Sequence, residues 1–258
     1  MSLAAVLAGA EREAGRLSLA QPSDWTQGRT VYGGLSTALA FEAARSCMPE
    51  PPPLRSLQVA FVGPMAGRIE ASAEVLRQGR SATFVQADVR SEAGLALRAT
   101  FLFSTKRASA LDFEDAPAPR TPDPEDAAPS LLRAPPSFFS NRFEYRHALP
   151  RTDPPTPEFL RWVRLRDRDG VEPVSGLLTL ADALPPAAMA VMAAPGPVSS
   201  ATWTMNLLAA EPATRDGWWL LRARAEQARD GVSSQSMAIW NRDGQPIALG
   251  MQSVAIFV

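Results

Sequence analysis

Apolar positions along this chain fall into two passes of one order, a helix followed by long alternating stretches. Ser2–Ala10 is short and apolar, with Glu11, Arg12 and Glu13 directly after it, which predicts a short amphipathic helix. Arg29–Tyr32 and the pair Gly33–Gly34 lead into Leu35–Ala44, an apolar run with helical spacing. Beyond Pro51–Pro53 the period changes. Leu57–Val62 is nearly all apolar and Ile69–Leu76 alternates with charge, then Ala82–Val89 and Leu95–Phe103 follow, separated by a polar turn at Ser91–Gly94. Long alternating segments bounded by turn residues predict an antiparallel sheet. One helix ahead of several such strands predicts an α+β layout, a sheet wrapped around a helix.

The second half repeats this order. Phe138–Ala148 and Glu158–Arg166 alternate as strands, Leu177–Met192 is the apolar helix candidate, and Trp203–Leu208, Trp218–Ala225, Ser236–Trp240 and Ile247–Phe257 supply later strands. Trp203, Trp218, Trp219 and Trp240 fall in those strands and are expected to fill the core. Local detail is shared too. Arg77-Gln78-Gly79-Arg80-Ser81 resembles Arg229-Asp230-Gly231-Val232-Ser233, and Pro64 and Pro212 stand in comparable places. Counting onward from each serine sets Thr100 against Gln252, and the same comparison sets Gly33 or Gly34 against Asp182. This is duplication of one module rather than an array of short repeats. Between the halves, residues 112–136 read DFEDAPAPRTPDPEDAAPSLLRAPP, a Pro-, Ala- and acid-rich stretch that favours extended conformations. It divides the chain into an N-terminal module 1–111, a linker 112–136 and a C-terminal module 137–258. The modules are expected to pair by joining sheet edges, which removes two exposed edges.

Composition narrows the chemistry. Of 258 residues 46% are apolar and the net charge is -1, so no basic excess exists to neutralise a nucleic acid. Cys47 and His147 are each the sole residue of their kind. An internal disulfide and a Cys-rich zinc site are therefore excluded, and most His-based metal sites with them. A Ser–His or Cys–His enzyme would have to use His147, which lies in an expected strand. Gly34-Leu35-Ser36-Thr37-Ala38 imitates a nucleophile elbow poorly, and no phosphate-cradling Gly-rich loop is present. No positive charge precedes Ser2–Ala10, so it is read as a helix and not a signal peptide. Leu177–Val198 contains Asp182 and several prolines, so it is not a membrane span. These features predict a soluble, cytoplasmic protein.

Certain segments then carry a resemblance. Val31-Tyr32-Gly33-Gly34-Leu35, Phe61-Val62-Gly63-Pro64 and Arg77-Gln78-Gly79-Arg80-Ser81 in the first half, with Ala181-Asp182-Ala183-Leu184, Ser200-Ala201-Thr202-Trp203 and Met251-Gln252-Ser253 in the second, resemble the acyl-CoA thioesterase II family. The resemblance implies two tandem hotdog modules, each an antiparallel sheet around a central helix. It also implies hydrolysis of acyl-CoA to CoA and a carboxylic acid with no metal or organic cofactor. In that family an Asp, a Ser or Thr and a Gln hold the hydrolytic water. The matching positions are Asp182, Ser200 and Gln252, and Ser199 or Thr202 would match after a shift of one or two residues.

A carboxylate can activate water or attack a thioester carbonyl directly. Asp182 precedes Pro185–Pro186 and is expected in the first turn of a helix, whose N-terminus favours its ionised form while apolar surroundings oppose it. Backbone N–H groups at Gly33–Gly34 are candidates to bind substrate at an oxyanion, which would place the pocket between modules. Taken singly, Asp182 reads as a helix cap and Gln252 as a solvated strand position; only their combination points to catalysis. A silent double hotdog that binds acyl thioesters or related lipids would carry the same residues. A homodimer is compatible with the sequence, though no residue argues for it.

Overall fold

The computed structural model describes residues 1–130, 134–150, 152–194 and 196–258. The first half runs α1 (Leu3–Ala8), β1 (Glu11–Glu13), β2 (Arg16–Ala20), a small ribbon of β3 (Thr26–Gln27) and β4 (Thr30–Val31), α2 (Gly33–Arg45), β5 (Leu54–Phe61), β6 (Arg68–Gln78), β7 (Ala82–Ser91) and β8 (Gly94–Ser104). The second half supplies β9 (Phe143–His147), β10 (Glu158–Leu165), α3 (Pro173–Ala181), β11 (Val198–Leu207), β12 (Trp219–Arg229), β13 (Val232–Asn241) and β14 (Pro246–Ile256).

Twelve of these strands form one antiparallel sheet in the order β1-β2-β6-β7-β8-β5-β11-β14-β13-β12-β10-β9. Read outward from its centre, the order is the same in both directions, β5 matching β11, β8 matching β14, and so on to the edges. The modules meet where β5 pairs β11, with Val59 opposite Trp203 and Leu57 opposite Met205. The expected edge-to-edge joining of two modules is therefore what the structure shows.

The concave face of the sheet holds both long helices, packed against each other. Nearly every residue of α2 is buried, which suits its run of alanines: small side chains let strands and the other helix approach from all sides. The inward residues of β8 (Leu97, Ala99, Phe101, Phe103) are buried against it, and Phe41 of α2 meets Phe101 edge-on at 6.0 Å.

The helix expected over Leu177–Met192 is displaced. α3 begins at Pro173, its fixed φ fitting the first helical position, and the Glu172 side chain accepts from the Ser175 N–H as cap. It ends at Ala181, and a separate short 3-10 turn covers Ala187–Val191. The cause is Pro185–Pro186, which cannot donate to a helical ladder and bias the residue before them away from it. The expected strand over Phe138–Ala148 likewise begins later, at Phe143, after a 3-10 turn over Phe139–Arg142.

Residues 112–130 and 134–136 form no helix or strand; 131–133 lie outside the described residues. Residues 116–127 lie against the outer face of the second module's sheet. Trp162 Nε1 donates to Pro122 O and Trp240 Nε1 to Ala116 O, while Ala127 is buried with Leu160, Trp162, Trp218, Leu220 and Trp240 in a small second core. Three of the four tryptophans singled out divide accordingly: Trp203 fills the inner core, and Trp218 and Trp240 sit under this strap.

Candidate active site

α2 and α3 run antiparallel, so the first turn of α2 faces the end of α3. Asp182 is the C-cap of α3, not part of a helix start as its sequence context suggested. The helix N-terminus that serves it belongs to the other module: the Gly34 backbone N–H donates to the Asp182 carboxylate. The paired glycines make this approach feasible. A Cβ on Gly33 would lie 2.7 Å from Asp182 Oδ2, and one on Gly34 would lie 2.4 Å from the Thr179 carbonyl oxygen. Gly33–Gly34 therefore confront Asp182 rather than occupy its place in the first module.

The end of α3 is further fixed by both tyrosines of the chain. Tyr32 Oη donates to Thr179 O at 2.8 Å and Tyr145 Oη to Ala183 O at 3.2 Å, satisfying carbonyls that a terminating helix leaves unpaired.

Gln252 lies in β14 on the inner face, 4% exposed, and its Nε2 donates to Asp182 Oδ1 at 3.0 Å. The chain of bonds continues behind it. Gln235 Nε2 on β13 donates to Gln252 Oε1 at 2.8 Å, and Gln235 Oε1 accepts from the Ala187 backbone N–H at 2.8 Å. Gln235 was not legible in the sequence, because Val232–Ser236 mixes polar residues on both faces of the strand and offers no alternation to read.

Asp182 borders two cavities. One, of about 360 Å³, is lined by Gln27, Gly33, Phe61, Pro64, Ser199 and Ser200 among others. The second, of about 570 Å³, is lined chiefly by apolar groups such as Phe138, Phe139, Leu184, Met189 and Val198, and reaches Gln252. Ser200 borders both cavities with Asp182, Ser199 borders the first, and the exposed Thr202 precedes the inward Trp203, facing away. A register shift in the β11–β14 pairing between Ser200 and Thr202 produces this placement.

Surrounding protein pushes the Asp182 carboxyl up to about 7 from the ordinary aspartate value near 3.8; desolvation dominates, and the bonds from Gln252 and Gly34 pull the other way. Burial, with a smaller contribution from the same carboxylate, raises the phenols of Tyr32 and Tyr145.

The first module carries no copy of this arrangement. Thr100 does not correspond to Gln252: it alternates with the buried Ala99 and Phe101 and so points to the outer face, where its ladder partners are Gln58 and Gln86. The hairpins differ by one residue between facing positions, Val89 lying opposite Leu97 and Ile239 opposite Ala248, and an odd slip reverses the face. At the other end of the helix pair, Glu42 of α2 meets the first turn of α3. Its carboxylate accepts from Ser175 Oγ at 2.5 Å and pairs with Arg12 at 2.9 Å and Arg45 at 3.5 Å. That carboxylate is paired with arginines, whereas Asp182 is held by an amide and a backbone N–H and borders the two cavities.

Two helix-wrapping antiparallel modules fused into one continuous sheet define the α+β double-hotdog class. A family model for the acyl-CoA thioesterase C-terminal domain matches residues 113–256, and one for the N-terminal domain matches residues 21–104. The chain belongs to this acyl-CoA thioesterase family, of the two-module TesB-like kind. None of the curated proteins matches the sequence. Among solved structures, a hot dog-fold protein of unknown function from Alicyclobacillus acidocaldarius superposes with a TM-score of 0.87 at 20% identity, over 100% of this chain and 99% of that one. The tesB protein of Mycobacterium avium subs paratuberculosis gives 0.80 at 18% identity over 100% of both chains. The acyl-CoA thioesterase II TesB2 of Mycobacterium marinum gives 0.76 at 16% identity, over 96% and 95%. Among the described residues, no helix is long and apolar enough to cross a membrane.

Proposed function

We propose that this chain hydrolyses acyl-CoA thioesters, with Asp182 as general base for the attacking water and Gln252 and Ser200 as the groups that orient it. The observation that carries this reading is Asp182 itself: a carboxylate near neutral pKa, held by an amide and a backbone N–H, at the junction of an apolar and a more polar cavity. A base poised near the working pH accepts a proton without being permanently protonated or too weak to act. The acyl chain lies in the chamber of about 570 Å³ bordered by Phe138, Phe139 and Met189, and the thiol-bearing arm leaves through the cavity bordered by Pro64 and Ser199.

The proton inventory of Gln252 assigns its part. Its carbonyl oxygen is engaged by Gln235 and one N–H by Asp182, which leaves the second N–H to face a water or the developing oxyanion. Ser200 contributes a hydroxyl from β11. Water attacks the thioester carbonyl as Asp182 takes its proton; collapse of the tetrahedral intermediate breaks the C–S bond, and the thiolate departs with that proton.

The test is release of free thiol from a panel of acyl-CoAs of graded chain length. Wild-type protein is expected to turn over at least one, and Asp182→Asn to lose on the order of 10²–10⁴-fold in kcat. Full activity in a folded Asp182→Asn protein would refute the mechanism. Absence of turnover with every acyl-CoA would favour a binding protein.

A further inference from the structure

We infer that Gln235 is a positioning residue that sets the orientation of the Gln252 amide and ties it to the wall of the acyl chamber. This rests on the reading of Gln252 as a group that holds the hydrolytic water.

A glutamine amide can be inserted either way round, and the two orientations differ in chemistry: one presents N–H to Asp182, the other a carbonyl oxygen. The bonds behind Gln252 remove the choice. The backbone N–H of Ala187 is a donor and nothing else, so Gln235 must turn its own carbonyl toward it, 2.8 Å away. That leaves the Gln235 amide N–H₂ facing Gln252, which answers with its Oε1 at 2.8 Å. The Gln252 N–H₂ is then committed to Asp182 at 3.0 Å. Polarity is thus fixed by a main-chain group and transmitted through two buried amides, 1% and 4% exposed. A core-filling side chain alone would not need this sequence of donors and acceptors. An apolar residue there would leave the buried Ala187 N–H and Gln252 Oε1 without partners.

The anchor also has a meaningful location. Ala187 opens the 3-10 turn Ala187–Val191 just after Pro185–Pro186, and Pro185, Pro186 and Met189 line the apolar chamber. The wall that the acyl chain would press against is therefore hydrogen-bonded, through Gln235, to the group beside the reacting carbonyl.

Two variants of the full-length protein test this. Gln235→Leu deletes both bonds. Gln235→Glu keeps the pattern while the new carboxyl is protonated, with a carbonyl for Ala187 and an O–H for Gln252. When ionised it offers only acceptors, and Gln252 must reverse, turning its oxygen toward Asp182. In thiol-release assays the wild type is expected to rise to a plateau above about pH 7 as Asp182 ionises. Gln235→Leu is expected to lose roughly 10²-fold in kcat, of the size seen when one aligned donor is lost, with KM within a few-fold. Gln235→Glu should approach wild-type kcat at acid pH and then fall again at alkaline pH, converting the plateau into a bell. A Gln235→Glu profile with the wild-type plateau intact would overturn the inference.

A readout independent of turnover separates this idea from the proposed activity. The Asp182 carboxyl resonance, assigned with Asp182→Asn, is titrated by ¹³C NMR. Loss of an aligned Gln252 donor should move its titration upward in Gln235→Leu, and the same shift should appear in Gln235→Glu once its carboxyl ionises. If wild-type protein cleaves no acyl-CoA but this shift appears, the hydrolase reading fails and the positioning role stands. If Asp182 titrates as in wild type in both folded variants, the positioning role fails, whatever the turnover.

Discussion

Asp182→Asn should change how stability depends on pH, and the size of that change follows from the site. The Asp182 carboxyl stands near 7 in the folded protein, against about 3.8 for an aspartate in water. A carboxyl whose folded pKa is raised binds its proton more tightly when folded. Its favourable contribution is complete below the unfolded value and is lost progressively as pH climbs to the folded value. Between pH 5 and pH 8 the wild type therefore gives up about two pH units of this linkage at about 1.4 kcal/mol each, an upper bound of about 3 kcal/mol. Asparagine has no such titration. Whatever it does to the bonds with Gln252 and Gly34 is the same at both pH values and cancels in the comparison. Urea unfolding of both proteins at pH 5 and pH 8 should show the variant gaining about 3 kcal/mol relative to wild type between the two conditions. A stability difference identical at pH 5 and pH 8 would mean that Asp182 titrates normally, and the argument for a neutral-pH base would collapse.

The glycine pair and the strap give two further outcomes. Gly33→Ala puts a methyl group against the Asp182 carboxylate and the Phe61 ring, so thiol release should fall tenfold or more with little change in melting. Gly34→Ala drives a Cβ into the Thr179 main chain and should cost about 1–3 kcal/mol in urea unfolding. On the outer face, Trp240→Phe removes the bond to Ala116 O, worth about 1 kcal/mol, and limited proteolysis should then cut residues 112–130 faster than in wild type. Unchanged cleavage would show that this contact does not hold the strap.

Alternation and turn residues alone determined much of this protein: the strands of both halves, the buried helix over Leu35–Ala44, the α+β class and the duplication. Those features arise within short windows, because a strand or helix that buries one face must repeat its apolar residues at its own period. Asp182 and Gln252 were singled out together only through the resemblance of their segments to a family, and the fold brings them to 3.0 Å. What lay beyond the sequence were relations between windows. Asp182 looked like part of a helix start because prolines follow it; only the packing of α3 against α2 reveals that it ends one helix and faces the start of another. Thr100 matched Gln252 by counting, yet the pleat turns it outward, since a register error of an odd number of residues reverses a side chain while leaving the local pattern intact. Gln235 carried no local signal at all. Its part is defined by a main-chain N–H 48 positions away and an amide on the neighbouring strand, contacts that exist only once the sheet has closed over the helices.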